Sequence, residues 1–269
     1  MKVVSFNING LRARQHQLDA VVEAHQPDFI CLQETKVHDS EFPHQQLAHL
    51  GYHVVHHGQK AHYGVATLSK LEPETVTKGF ASEADNHQRR LLVTSYRLAD
   101  GQSLKLVNGY FPQGENRSHP EKFPNKEAFY RNLNTWLRSA NQPGDLLLVT
   151  GDFNIAPEDA DIGIGEENKK RWLRQGKTSF LPEEREWFAD LRQWGLVDVY
   201  EGFRTEGIYS WFDYRSRGFE AEPKRGLRID LILASAPLSQ YCCGAGIDYR
   251  IRSMEKPSDH CPVWAEFDL

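Results

Sequence analysis

"LLLVTGDFNIAP" (residues 146–157) runs four apolar side chains, Leu146 to Val149, into Thr150 and Gly151, then offers Asp152 and Asn154 two positions apart. The apolar run reads as a buried strand. Gly, Asp and Asn all favour a turn, so its polar end reads either as a turn or as two side chains delivered to a shared reaction centre. Whether the chain repeats this pattern decides between the two.

Working outward, strand candidates stand at 2–6, 28–32, 52–56, 64–69, 90–97, 104–109, 145–150, 196–200, 207–213, 228–234, 245–251 and 262–267. Amphipathic segments lie between some of them. In 11–25, Leu18, Val21, Val22 and His25 share a helical face, and in 126–139 Phe129, Leu133, Trp136 and Leu137 follow helical spacing. Trp187, Leu191 and Trp194 do so in 183–194, after Pro182, a good first-turn residue. These aromatics read as core. The strands are too many for one open sheet. Two packed sheets with helices outside, in a single α/β domain over residues 1–269, fit the count. No Pro-, Gly- or Ser-rich linker divides the chain.

A hydrophobic content of 39% over 269 residues, with six Trp, suits a sizeable core and argues against disorder. No apolar run approaches a membrane span. Lys2 is followed only by Val3, Val4, Ser5 and Phe6 before Asn7, too short for a secretory apolar region. Cys31, Cys242, Cys243 and Cys261 show no C-x-x-C spacing and read as free thiols in a reducing compartment, so a cytoplasmic location is expected. With no coiled-coil seam or sticky edge in view, a monomer is expected.

The formal charge of −5 disfavours a nucleic-acid partner, but its distribution argues the other way. "KKRWLRQGK" (169–177) carries five positive charges and no negative one, and "RSR" (215–217), "KRGLR" (224–228) and Arg89–Arg90 add more. Acidic residues gather at 158–167 and 183–186. A charge run alone is commonly a solvated face; several basic runs with aromatics in or beside them suit nucleic acid.

The strand ends do repeat the pattern. "VVSFNING" ends on Asn7 and Asn9, "DFICLQETK" on Gln33 and Glu34, and "LKLVNGYFPQG" leads to Asn108, Tyr110 and Gln113. "KPSDHCPVWAEF" places Asp259 and His260 just before a strand. Ligand sites in layered α/β proteins lie where strand ends converge. Each residue has a plainer reading: a hairpin turn for Asn7, a solvated carboxylate for Glu34, a packed ring for Tyr110, a cap for Asp259–His260. Asp230 is different. Between Ile229 and Leu231 in an apolar strand, it needs a buried donor or cation. His260 is the obvious candidate, oriented and kept charged by the carboxylate.

No Ser or Cys nucleophile motif, Gly-rich phosphate loop or multi-His or multi-Cys metal site is present. Glu34, Asp259 and the Asn7 amide offer hard oxygen, which suits Mg²⁺ or Mn²⁺ rather than zinc. The reaction class is metal-assisted phosphoester hydrolysis.

"SFNINGLRAR", "LQETK", "NGYFPQG", "GDFNIAP", "SWFDYRS", "GLRIDLIL" and "KPSDHCPV" together resemble the bacterial exonuclease III type of abasic-site endonuclease, within the endonuclease/exonuclease/phosphatase superfamily. The resemblance runs from Val3 to Phe267. It implies a four-layer αββα sandwich of two mixed sheets flanked by helices, with the site at one mouth between them. It implies hydrolysis 5′ to abasic sites in double-stranded DNA, with 3′→5′ exonuclease and 3′-end repair activity. By the same resemblance Asp152 orients and deprotonates water, and Asn154 holds that water or the pentavalent oxygens. Glu34 binds the metal, with Asn7 and Asp259 on it directly or through water, and Asp152 and Asn154 offer a second position. His260, oriented by Asp230, donates to a phosphate oxygen, while Tyr110 contacts the phosphate or assists the leaving oxygen. Trp211, Phe212 and Leu227 would surround the abasic sugar, and Arg90 and Gln113, with the basic runs 169–177 and 215–228, would hold backbone phosphates. Some family members carry Asp where this chain has Asn9, and the amide weakens a second metal position.

Two other readings stand beside this one. A phosphatase or phosphodiesterase of the superfamily acting on a small-molecule or lipid phosphate has no use for Trp211, Leu227 and the basic runs. A non-catalytic DNA-binding module would be expected to have lost part of the site, which is complete here.

Overall fold

In the computed structural model, which describes residues 1–82 and 87–269, the apolar runs become strands and the amphipathic segments become helices. The strands are β1 (Lys2–Asn7), β2 (Phe29–Gln33), β3 (His53–His57), β4 (Val65–Ser69), β5 (Thr75–Lys78) and β6 (Leu91–Arg97), then β7 (Ser103–Tyr110), β8 (Leu146–Asp152), β9 (Leu196–Asp198), β10 (Asp230–Ser235), β11 (Cys242–Ile247) and β12 (Val263–Phe267). The main helices are α1 (Gln15–His25), α2 (Lys122–Ala140), α3 (Glu166–Arg174) and α4 (Pro182–Trp194). One six-stranded sheet has the order β11-β12-β1-β2-β4-β3 and the other β5-β6-β7-β8-β10-β9.

Both sheets share one plan. In each, a parallel pair at the centre (β1 with β2, β7 with β8) is flanked on both sides by antiparallel strands. Strand side chains alternate between faces, so a strand covered on both sides needs an unbroken apolar run. Leu146 and Leu148 of β8 point into the core between the sheets, while Leu147 and Val149 pack toward α2 and α4. In β1, Val3 faces the other sheet, and Val4 and Phe6 face α1. The result is helices, sheet, sheet, helices: the expected αββα sandwich.

Some local expectations change. The run 207–213 is no strand; within it Trp211 only bridges Leu227 and His260, and of its aromatics Phe212 is buried by packing while Tyr209 and Trp211 stay partly exposed. The exposed edge strand β5 was not anticipated, because all four of its residues face solvent and leave no apolar signal. The expected strand 245–251 begins earlier, at Cys242, and gives way to a short helix, Tyr249–Arg252, capped by Asp248 accepting from Ile251 N. Strand 196–200 stops at Asp198, and the helix expected over 11–25 starts at Gln15 after a 3-10 turn. The basic run around 169–177 is largely α3, which fully buries no residue and packs only Trp172 against the core. The four cysteines are free, and no helix among the described residues is long and apolar enough to cross a membrane.

Candidate active site

The alternation that builds the core also builds the site. On the faces turned between the sheets, β1 runs Val3, Ser5, Asn7; β2 runs Phe29, Cys31, Gln33; β7 runs Leu104, Leu106, Asn108, Tyr110; β8 runs Leu146, Leu148, Thr150, Asp152. Apolar residues fill the middle of the sandwich and polar ones its end. Gln33 Nε2 donates to Ser5 Oγ (3.1 Å) and to Asn108 Oδ1 (2.8 Å), joining the sheets just behind the mouth. Because each central pair is parallel, Asn7 pairs with Gln33 and Tyr110 with Asp152 at the same end. Antiparallel β10 begins there too, with Asp230 opposite Asp152.

The chain then turns sharply. Glu34 and Asn154, just past β2 and β8, lie in the left-handed region at φ 52° and 53°. At Gly151, with φ 145°, an added Cβ would stand 1.8 Å from Gly109 O, so only glycine fits beside β7.

Glu34 and Asp152 meet across the sandwich through Asn7, whose Nδ2 donates to Glu34 Oε1 and Asp152 Oδ2 at 3.0 Å each. The Asn7 oxygen accepts from Asn9 N at 3.1 Å, so in this arrangement the amide orders the two carboxylates. Tyr110 Oη donates to Glu34 Oε1 at 2.7 Å, and Lys36 Nζ lies 2.9 Å from Glu34 Oε2. Burial works against ionisation of Glu34, but the Lys36 ammonium, with Tyr110 and Asn7, outweighs it and holds its pKa at about 2. Burial and then the Glu34 charge raise the Tyr110 phenol, which stays a donor. Asp152 is pushed the other way, up to about 7, by burial that the His260 charge only partly offsets. Its Oδ1 accepts from Asn154 N at 3.0 Å.

Asp230 has the partner its burial requires. His260 Nδ1 lies 3.0 and 2.9 Å from its two oxygens, leaving Nε2 directed to the mouth, 3.8 Å from Asp152 Oδ2. Burial disfavours the imidazolium, but Asp230 and Asp152 outweigh it and raise His260 to about 10. Ser210 Oγ accepts from the backbone N of Ile229 and Asp230, and Ser258 Oγ from His260 N, so both members are held in place.

Donor atoms of Glu34, Asp152 and His260 all lie within 4.8 Å of one another. As a protonated imidazolium His260 is no metal donor, which leaves the oxygens of Glu34 and Asp152, a set suited to a hard divalent ion. Lys36 already sets a positive charge against Glu34 and Asn9, a stand-in for the charge that such an ion would bring. Asp259 lies on the rim, with Oδ1 accepting from Asn9 Nδ2 (2.8 Å) and Oδ2 from Trp211 Nε1 (3.0 Å). The mouth has a volume of about 200 Å³ and is lined by Glu34, Tyr110, Gln113, Asp152, Asn154, Trp172, Ser179, Trp211, Ile229, Asp259 and His260.

The endonuclease/exonuclease/phosphatase family profile matches residues 4–260. The chain belongs to this family. It is 53% identical over 269 residues to exodeoxyribonuclease III of Haemophilus influenzae, covering 99% of this chain and all of that one. An AP endonuclease from Archaeoglobus fulgidus superposes with a TM-score of 0.90 at 34% identity, each chain covered in full. A Neisseria 3′ phosphatase bound to a product DNA hairpin does so with 0.89 at 35%, again over both whole chains.

Within this family member, the structure brings together Asn7, Glu34, Tyr110, Gln113, Asp152, Asn154, Trp211, Asp230, Asp259 and His260, but treats three expected contacts differently. Phe212 is fully buried among Phe219, Tyr209 and Tyr249 and does not line the mouth. Leu227 is buried behind Trp211, paired to it by backbone hydrogen bonds, and Ile229 reaches the wall instead. Arg90 turns inward, its guanidinium 4.2 and 4.5 Å from the Tyr63 and Tyr110 ring centroids, so it braces Tyr110. In the run 224–228, Arg228 is buried in ion pairs with Asp161 and Asp198 (2.7 Å each) and Glu201 (3.1 Å), which removes it from any surface role.

The sequence reading also missed the support behind the site. Lys126 and Glu184, both fully buried, form an ion pair. Lys126 Nζ donates to Asn154 O (2.8 Å) and Gln113 O (3.3 Å), while Glu184 Oε2 accepts from Ser179 N and Leu181 N at 2.8 Å. Three residues of the mouth thus hang on one buried pair. Lys126 sits in a helix otherwise read for its aromatics, and nothing local marks it.

Proposed function

We propose that this chain is a DNA-repair nuclease that hydrolyses the phosphodiester 5′ to an abasic site in duplex DNA, with 3′→5′ exonuclease and 3′-end repair activity. One observation carries the reading: a charged Glu34 from one sheet and a buried Asp152 from the other face a protonated Asp230-held His260, in a mouth walled by two indoles. The divalent ion, Mg²⁺ or Mn²⁺, would be held chiefly by Glu34, and when bound it polarises a phosphoryl oxygen and neutralises charge. Asn7 positions the Glu34 carboxylate, and Asp259 supports the rim through Asn9 and Trp211.

Asp152 orients and deprotonates water; its two oxygens are fixed by Asn154 N and Asn7 Nδ2, and its raised pKa makes it a competent base near neutrality. His260 donates from Nε2 to a non-bridging oxygen as charge builds there. Tyr110, kept protonated, aims Glu34 and lies within the same mouth to meet the phosphate. A deoxyribose without its base flips out at low unstacking cost and fits against Trp211 and Ile229. The exposed basic residues of 169–177 and 215–225 hold backbone phosphates without reading sequence. The enzyme acts as one domain, as a monomer and in the cytoplasm on this reading.

The deciding experiment is a synthetic duplex with one tetrahydrofuran abasic analogue. Incision 5′ to the lesion, abolished by chelator and restored by Mg²⁺ or Mn²⁺, is the expected result. Hydrolysis of inositol or lipid phosphates without duplex incision would transfer the site to the phosphatase reading.

A further inference from the structure

A second pocket adjoins the catalytic mouth, and the two share the side chains of Trp172 and Trp211 as a common wall. It is an open groove of about 210 Å³. Arg171, Lys177 and Arg225 line it with Asn168, Asp213 and Ser216. Three cations against one carboxylate make it locally positive in a chain of net charge −5. Trp172 is backed there by Phe180, which stacks on it with centroids 5.7 Å apart and planes at 5°. Lys177 Nζ lies 4.9 Å from the same ring, on an exposed side chain.

Indole faces edged by Arg and Lys are the chemistry that recognises a nucleotide, the base stacking on the ring and the phosphate meeting the cations. Position narrows the choice further. A free nucleotide has no need of a wall shared with the catalytic mouth, whereas a strand with one phosphodiester beside Asp152 must continue into a neighbouring space. The catalytic mouth is also poor for a second phosphate, since it already gathers Glu34, Asp152 and Asp259; the adjoining pocket moves that charge onto arginine and lysine.

We propose that this pocket binds one unpaired nucleotide of the cleaved strand, adjacent to the scissile phosphodiester, with its base on Trp172 and its phosphate at Arg171, Lys177 and Arg225. The inference rests on the nuclease reading above. Lys177 covers the indole until the base arrives, then moves from the ring to the phosphate. The pocket therefore favours frayed, mismatched or terminal nucleotides next to the cleavage point over paired ones.

The test uses the whole protein in chelator with abasic-analogue duplexes carrying 2-aminopurine beside the lesion, either paired or opposite a mismatch. Emission of the mismatched probe should be quenched on binding, with the change cut by roughly half or more in Trp172→Ala and largely restored in Trp172→Phe. With Mg²⁺ present, KM for the mismatched duplex should rise roughly 10-fold in Trp172→Ala and in Arg225→Ala, and less for the paired duplex. Equal quenching of paired and mismatched probes, or quenching and KM untouched by these substitutions, overturns the pocket assignment. Should Trp172→Ala misfold, the KM split between mismatched and paired duplexes in Arg225→Ala carries the test. Wild-type failure to incise the paired abasic duplex at all strikes the nuclease reading instead, so the two failures are distinguishable.

Discussion

Glu34 and Asp152 stand at corresponding ends of the two sheets, each just where the second strand of a central parallel pair leaves its sheet, and both accept from the same Asn7 amide. Their environments separate them. Glu34 faces an ammonium and a phenol and stays ionised far into acid; Asp152, at the buried floor of the mouth with burial only partly offset by His260, titrates near neutrality. Two carboxylates driven apart in pKa serve two tasks, a permanent anion for a cation and a base that can take up a proton. Burial raises both; the difference comes from the neighbours, since Lys36, Tyr110 and Asn7 outweigh it at Glu34 while His260 only partly offsets it at Asp152.

The sharpest way to break this comparison is Asp152→Asn. Turnover on the abasic duplex should fall roughly 10²–10⁴-fold with duplex affinity largely retained; equal loss of binding and turnover, measured by quenched-flow and gel shift, would contradict a base. Next comes the support on the Asp152 side. Lys126→Met leaves Glu184 buried and unpaired and should cost about 3–5 kcal/mol in urea unfolding, with Lys126→Met/Glu184→Leu regaining much of it. Glu34→Gln should raise the Mg²⁺ needed for half-maximal rate roughly 10–100-fold. If Asp152→Asn shifts that requirement as far, the two carboxylates share one role.

The pH effects are smaller. A base must be unprotonated, so kcat/KM should rise with pH through about 7 and flatten above it, and residual Asp152→Asn activity should lose that limb. His260 has a folded-state pKa raised to about 10, so its charged form stabilises the fold fully below about 6.5, and that contribution is lost as pH rises toward 10. The Tm gap between wild type and His260→Asn should therefore narrow between about pH 6 and pH 9.5; a widening gap would reverse the assignment.

Much of the architecture was legible because burial on both faces leaves an unbroken apolar run, as at Leu146–Val149, and helices such as Pro182–Trp194 leave a period of their own. Exposed elements left little such mark: Thr75–Lys78 faces solvent throughout, and Glu166–Arg174 fully buries no residue and packs only Trp172 against the core. Asp230 announced a partner because an unpaired carboxylate in a strand is costly, and His260 is that partner. Arg90 and Arg228 could not be placed, because a basic residue reads alike whether it meets phosphate, an aromatic ring or buried carboxylates. Phe212 and Trp211 are neighbours with opposite fates, one sealed in core and one on the mouth.

Residue type and alternation alone determined that the chain makes two covered sheets and that their strands end in carboxylates, amides and an imidazole. Which of those groups is anion, base or acid was decided only by the tertiary structure. A carboxyl group's pKa depends on the charges and water within a few ångströms of it. Those neighbours, Lys36 against Glu34 and Asp230 behind His260, are set by packing and by turns at the sheet ends.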